Sequence, residues 1–166
     1  MTLRILHPSD FSAASSAAFK KAIDMAKSSR AQLIVVHVIS PTLPMPPGDG
    51  YVSPKVYEDL AASTRAWARK HLDKLLASAK KSGVRAKGFL LDGVPHEQIV
   101  RFAKSRRVDL VVVGTHGRSG LAKLFLGSVA ESVLRGTTVP ILIVRADNAP
   151  VDVPSGAEPA QRATHV

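Results

Sequence analysis

Gly114, Gly117 and Gly127 stand in the pattern Gly-x2-Gly-x9-Gly-Ser, which ends at Ser128. The pattern follows the apolar run Asp109-Leu-Val-Val-Val and precedes a stretch of helical periodicity. Glycines let the main chain reach positive φ and bring its N–H groups close to an anion. A helix opening near Ser128 would aim unpaired N–H groups and the positive end of its dipole at the same point. Phosphate binding fits that description, and Arg118 and Lys123 supply charge inside the segment, one as a planar fork and one as a point charge. A plainer reading stands beside it. Ser128-Val-Ala-Glu131 is also a capping box, so Ser128 could satisfy its own helix, and glycines are ordinary in a strand-to-helix loop. Neither Gly-x4-Gly-Lys-Ser/Thr nor Gly-x-Gly-x2-Gly occurs, so any nucleotide is held by neither a P-loop nor a dinucleotide fingerprint.

Other chemistries find little support. The chain has no cysteine, which removes disulfides, thiolate zinc sites and thiol catalysis together. Its six histidines, at 7, 37, 71, 96, 116 and 165, show no metal-ligand spacing, so no protein-built metal site is expected. His116 has no acidic partner nearby in sequence and reads as a loop residue rather than a catalytic base. Asp10 follows a strand end, where it could meet a ribose hydroxyl or simply cap a helix. Trp67 and Phe19 fall on helical apolar faces and read as core.

A regular scaffold must carry these residues. Leu3–His7 is a short apolar run stopped by Pro8, and Leu33–Ile39 is almost continuously apolar and β-branched, as in a strand covered on both faces. Val84–Leu91, with Gly88 inside it, Asp109–Gly114 and Pro140–Val144 complete five strands. Between them run helical patterns: Ala14 to Ala26, Val56 to Ala79 closed by Gly83, Pro95 to Phe102, and Ser128 to Arg135. Strands alternating with helices give a parallel sheet with right-handed crossovers. The fold class is therefore α/β, a Rossmann-like doubly wound sheet with helices on both faces, whose ligands sit outside the carboxyl ends of the strands. Residues 40–54 hold five prolines and two glycines and read as a long surface loop. Residues 147–166 lack periodicity and read as a disordered tail behind a single domain of residues 1–146.

The 166 residues carry 23 Lys and Arg against 13 Asp and Glu, a formal charge of +10, which suits a polyanionic partner without choosing one. No apolar run approaches 18 residues and the start lacks a signal-peptide core, so a soluble, cytoplasmic protein without membrane contact is expected.

Pro8-Ser9-Asp10-Phe-Ser, His37-Val38, the run Asp109 to Gly120, Leu126 to Glu131 and Val139 to Val144 together resemble the universal stress protein family in its ATP-binding branch, over residues 3 to 145. That resemblance implies a five-stranded parallel sheet of order 3-2-1-4-5 with ATP across the ends of strands one and four. By position, Pro8, Ser9 and Asp10 would line the adenosine side, the backbone of Val38 would meet adenine and Val113 would pack nearby. Gly114, His116, Gly117, Gly127, Ser128 and Val129 would surround ribose and phosphates, with Arg118 beside them and Mg2+ or Mn2+ held mainly by the phosphates. The resemblance also implies a homodimer through the edge strand Val139–Val144. The function expected is a nucleotide-dependent stress or signalling module acting on an unidentified protein partner, with at most slow ATP hydrolysis. The alternative is a basic interaction protein that binds nucleic acid or an acidic protein without nucleotide; no nucleic-acid motif accompanies the charge, so nucleic acid is not an expected partner.

Overall fold

The computed structural model describes residues 2–40, 53–115 and 126–145. Strands β1 (Arg4–Pro8), β2 (Gln32–Ile39), β3 (Ala86–Asp92), β4 (Leu110–Gly114) and β5 (Ile141–Val144) alternate with helices α1 (Ala13–Ser28), α2 (Pro54–Lys81), α3 (Pro95–Ser105) and α4 (Ser128–Gly136). All four strand pairings are parallel and the order is β3-β2-β1-β4-β5, as the resemblance implies. The expected tail, and the core of the loop at 40–54, lie outside the described residues.

Side chains alternate across the sheet, so each strand feeds two cores. Ile5, Leu33, Val35 and Val112 pack with Phe19, Ala22 and Leu72 of α1 and α2. Leu6, Ile34, Val36, Val111 and Val113 pack with Ile99, Phe102 and Val133 of α3 and α4. Burial on both faces explains why the middle strands read as unbroken apolar runs.

Three helices end in the same way. Past α1 the N–H of Ala31 donates to Ala26 O and that of Arg30 to Lys27 O. Past α2, Val84 and Gly83 do the same to Ala79 and Lys80, and past α3, Val108 and Arg107 to Ala103 and Lys104. This is the Schellman closure, with a buried apolar residue locking each turn. It needs one left-handed residue, and the positions are Arg30 (φ 51°), Gly83 (φ 77°) and Arg107 (φ 50°). Glycine holds that conformation without strain, whereas arginine there costs about 1 kcal/mol.

Two glycines are set by close packing rather than by φ. A Cβ on Gly88 would lie 2.8 Å from Leu76 Cδ1 and 3.0 Å from Leu72 Cγ, so the apparent weak point of β3 is where α2 presses on the sheet. A Cβ on Gly114 would lie 2.6 Å from Ala14 O and 2.7 Å from Ala14 C, main-chain atoms of the first turn of α1. Helix α2 departs from its expected coverage. Its 28 residues bury only Ala68, Leu72 and Ala79, all in the second half, while Val56, Leu60 and Trp67 stay 54%, 43% and 42% exposed. Trp67 is therefore not a core residue.

Because backbone yields less readily than a leucine side chain, Gly114→Ala should cost about 2 kcal/mol or more and Gly88→Ala less, measured by urea denaturation. A Gly114→Ala protein with the parental midpoint would contradict the packing.

Candidate functional site

Helices in this topology start where strands end, so one edge of the sheet gathers the carboxyl ends of the strands and the positive ends of the helices. At that edge β1 and β4 lie side by side, while the helices that follow them pack on opposite faces. The crevice between them is a cavity of about 400 Å³. Its walls come from Pro8 at the end of β1 with Ser9 and Asp10 after it, from Val36 to Val38 in β2, and from Val113, Gly114 and Thr115 at the end of β4. Ser15 of α1, Pro95 and Ile99 of α3, and Gly127 to Ala130 at the start of α4 close it.

The opening of α4 gives the cavity its polarity. Gly127 is the N-cap, with φ −61° and ψ 147°, and no side chain caps the helix. The N–H groups of Ser128, Val129 and Ala130 therefore have no partner within the helix. The capping box expected at Ser128 does not form: Ser128 sits one position inside the helix, and Glu131 pairs with Arg135 at 2.9 Å instead. Gly127 donates its own N–H to Thr115 O at 2.6 Å, and Thr115 donates to Val144 O at 3.0 Å. These bonds pin both ends of the glycine segment to the sheet, and they remove the Gly127 amide from the set that could hold an anion. Neither Gly114 nor Gly127 uses positive φ; among the described glycines only Gly83 and Gly93 do.

A buried polar chain leads away from the cavity. His7, fully buried in β1, directs Nδ1 to Val112 O at 2.9 Å; a carbonyl only accepts, so Nδ1 carries the proton. Nε2 lies 3.4 Å from Ser15 Oγ, and Ser15 Oγ donates to Ser9 Oγ at 2.9 Å in the cavity wall. Burial lowers the His7 pKa from 6.5 to about 4 against smaller raising effects of the Val112 carbonyl and Asp10, so the ring is neutral near pH 7.

Beyond Asp10 and Val38 the crevice continues into a second lobe of about 710 Å³, reaching Ser63, Thr64 and Trp67 of α2. Asp10 stands in the wall of both lobes and fixes its loop by accepting from Ser12 N–H at 3.0 Å; Ser12, not Asp10, caps α1. His37 Nδ1 donates to Ser9 O at 2.8 Å, and its ring stacks on Phe11 at 4.5 Å. Phe11 holds φ 63° and meets the Trp67 edge at 5.4 Å. The strained Phe11 backbone is thus braced on both sides.

Nine of the residues singled out from sequence, Pro8, Ser9, Asp10, Val38, Val113, Gly114, Gly127, Ser128 and Val129, line this one cavity. His116, Gly117 and Arg118 lie outside the described residues. The residues missed, Ser15, Val36, His37, Pro95, Ile99, Thr115 and Ala130, come chiefly from helix starts at the same edge. Pro95 at the first position of α3 was the available signal.

The pH dependence of stability tests the buried imidazole. Its folded pKa lies below the unfolded value, so the unfolded chain binds the proton more readily. The stabilisation is complete above about pH 6.5 and is lost as pH falls toward 4, a difference of about 3 kcal/mol. Urea denaturation at pH 7 and pH 4 should show His7→Gln losing less stability than the parent by roughly that amount. An equal loss in both would contradict the assignment.

Comparison with known proteins agrees with this architecture. A universal stress protein of Methanocaldococcus jannaschii is 33% identical over 142 residues, covering 86% of this chain and 81% of that protein. The solved structure of MJ0577, another universal stress protein of the same organism, superposes with a TM-score of 0.74 at 26% identity, over 90% of this chain and 99% of that one. A universal stress protein solved in complex with cAMP gives a TM-score of 0.65 at 25% identity, over 87% and 98% of the two chains. Among the described residues no helix is long and apolar enough to cross a membrane. With residues 1–145 matching the family model as well, the chain belongs to the universal stress protein family.

Proposed function

We propose that the crevice binds an adenine nucleotide, with ATP as the physiological ligand, its base beside Val38 and its phosphates at the start of α4. The observation that carries this reading is the uncapped first turn of α4, whose N–H groups have no partner within the helix and whose residues Ser128 to Ala130 line a cavity walled elsewhere by apolar side chains. Apolar walls at Val36, Val38, Ile99 and Val113 suit a purine ring, and Asp10 in the cavity wall can offer an acceptor to a ribose hydroxyl. The family relative solved with cAMP supports an adenine ligand. Among the described residues no group of three or more His, Asp or Glu is placed to hold a metal ion. A Mg2+ or Mn2+ ion accompanying ATP would be held mainly by the phosphates, where it would offset their charge.

ATP occupancy then acts as a signal to a protein partner in the cytoplasm, with hydrolysis slow at most. Strand β5 supports a homodimer: among the described residues it pairs only with β4, and its residues Ile141 to Val144 are only partly buried. An apolar sheet edge of this kind is covered most simply by a second copy.

Titration calorimetry should give an ATP Kd in the micromolar range, weakened by Gly117→Ala or Gly127→Val. Ser128→Pro is the sharper variant. It deletes one cradle N–H at a helix position that tolerates proline, after a residue whose extended backbone already suits a following proline. ATP affinity should fall about tenfold while adenosine affinity changes little, as for loss of one charge-assisted hydrogen bond. No ATP heat and no ATP competition in folded parent protein would refute nucleotide binding.

A further inference from the structure

The edge of the sheet opposite the crevice concentrates the charge of the molecule. The strand-start segments, residues 2–4, 27–32, 80–87, 104–109 and 135–140, hold eleven of the 23 lysines and arginines and one of the 13 acidic residues, Asp109. The twelve remaining cations are matched by the twelve remaining acids, so the whole formal charge of +10 arises from this edge. All eleven cations are exposed, and among the described residues only Arg135 forms an ion pair with a carboxylate.

Favourable helix dipoles account for the basic residues in the last turns, Lys27, Lys80, Lys81, Lys104 and Arg135. They do not account for Arg85 and Lys87, which stand at the start of β3, nor for Arg30 and Arg107. Those two arginines occupy the left-handed turn position that α2 gives to glycine, against the conformational preference of the residue. Stability alone favours glycine at both sites, so the charge there serves another end.

We propose that this edge binds the phosphate backbone of a nucleic-acid duplex, independently of the nucleotide crevice. Five strand starts span about 19 Å, a length over which a duplex carries about eleven phosphate charges. The face is nearly of one sign, unlike a protein interface, whose buried centre is depleted of charge. Within the described part of these segments the only apolar side chain of large size that is exposed is Leu3, too little for anchoring in a lipid surface. They contain no aromatic residue to stack on bases, so binding depends on phosphate charge and not on sequence.

Fluorescence anisotropy of a labelled mixed-sequence DNA duplex tests the proposal on the full chain. Binding should be measurable at 50 mM salt, fall steeply by 200 mM, and be unchanged when the sequence is scrambled. The pair Arg30→Gly with Arg107→Gly removes two charges at positions where glycine relieves strain, so its urea midpoint should equal or exceed that of the parent. Affinity at 50 mM salt should fall about tenfold, and the slope of log K against log salt should drop by about 2. The control pair Lys20→Gln with Lys21→Gln removes the same charge from the exposed surface of α1 and should change affinity less than about twofold. The proposal is overturned if the parent does not bind, if the two pairs weaken binding equally, or if polyglutamate or phosphatidylserine vesicles compete as well as unlabelled duplex at equal charge.

Discussion

The parallel hydrogen bonding of five strands, with β1 at the centre, is the constraint from which the rest follows. A parallel neighbour can be reached only by a crossover, here always a helix running back over the sheet. Every helix N-terminus must then lie at the edge where strands end, and every helix C-terminus at the edge where they begin. The sheet sorts the chain into two poles before any side chain is chosen, one with free N–H groups and one with free carbonyls. An anion is favoured at the first pole and cationic side chains at the second; this chain opens a crevice at the first and gathers basic side chains at the second.

At the first pole, the packing of the sheet and the walls of the crevice share residues. Gly114 is required because α1 begins against the end of β4, with Ala14 O in the space that a Cβ would fill. The same contact brings Ser15 into the crevice wall and against His7, so the core of the sheet and the floor of the site are one construction. Thr115, bonded to both Gly127 and β5, fixes the point at which α4 starts. The site is built on rigid strand ends and helix starts, which suits a ligand that must be held without reorganisation.

Much of this was legible in the residues, for reasons that differ by element. The β-branched run of β2 can only be a strand buried on both faces, and Gly83 after a helical stretch marks a left-handed closure. Arg30 and Arg107 adopt the same closure without announcing it, because arginine carries no preference for that conformation. The Ser128–Glu131 spacing matched a capping box, but Gly127 took the cap position and Arg135 took the glutamate. Trp67 has core periodicity yet stays exposed, because periodicity shows which face of a helix is apolar, not which half of that face is covered. Ser15 and Ile99 reach the crevice through tertiary placement of helix starts, which no local pattern encodes, whereas Pro95 announces the start of α3 but not its place beside the cavity.

The proposed seat of the phosphate group is the first turn of α4. The direct measurement is a nitrogen-15 amide spectrum of the folded protein titrated with ATP and, separately, with adenosine. The amides of Ser128, Val129 and Ala130 should move with ATP and stay near their free positions with adenosine, while Val38 and Val113 move with both. ATP that binds without moving the three α4 amides, or that moves them no more than adenosine does, would contradict the assignment of that turn.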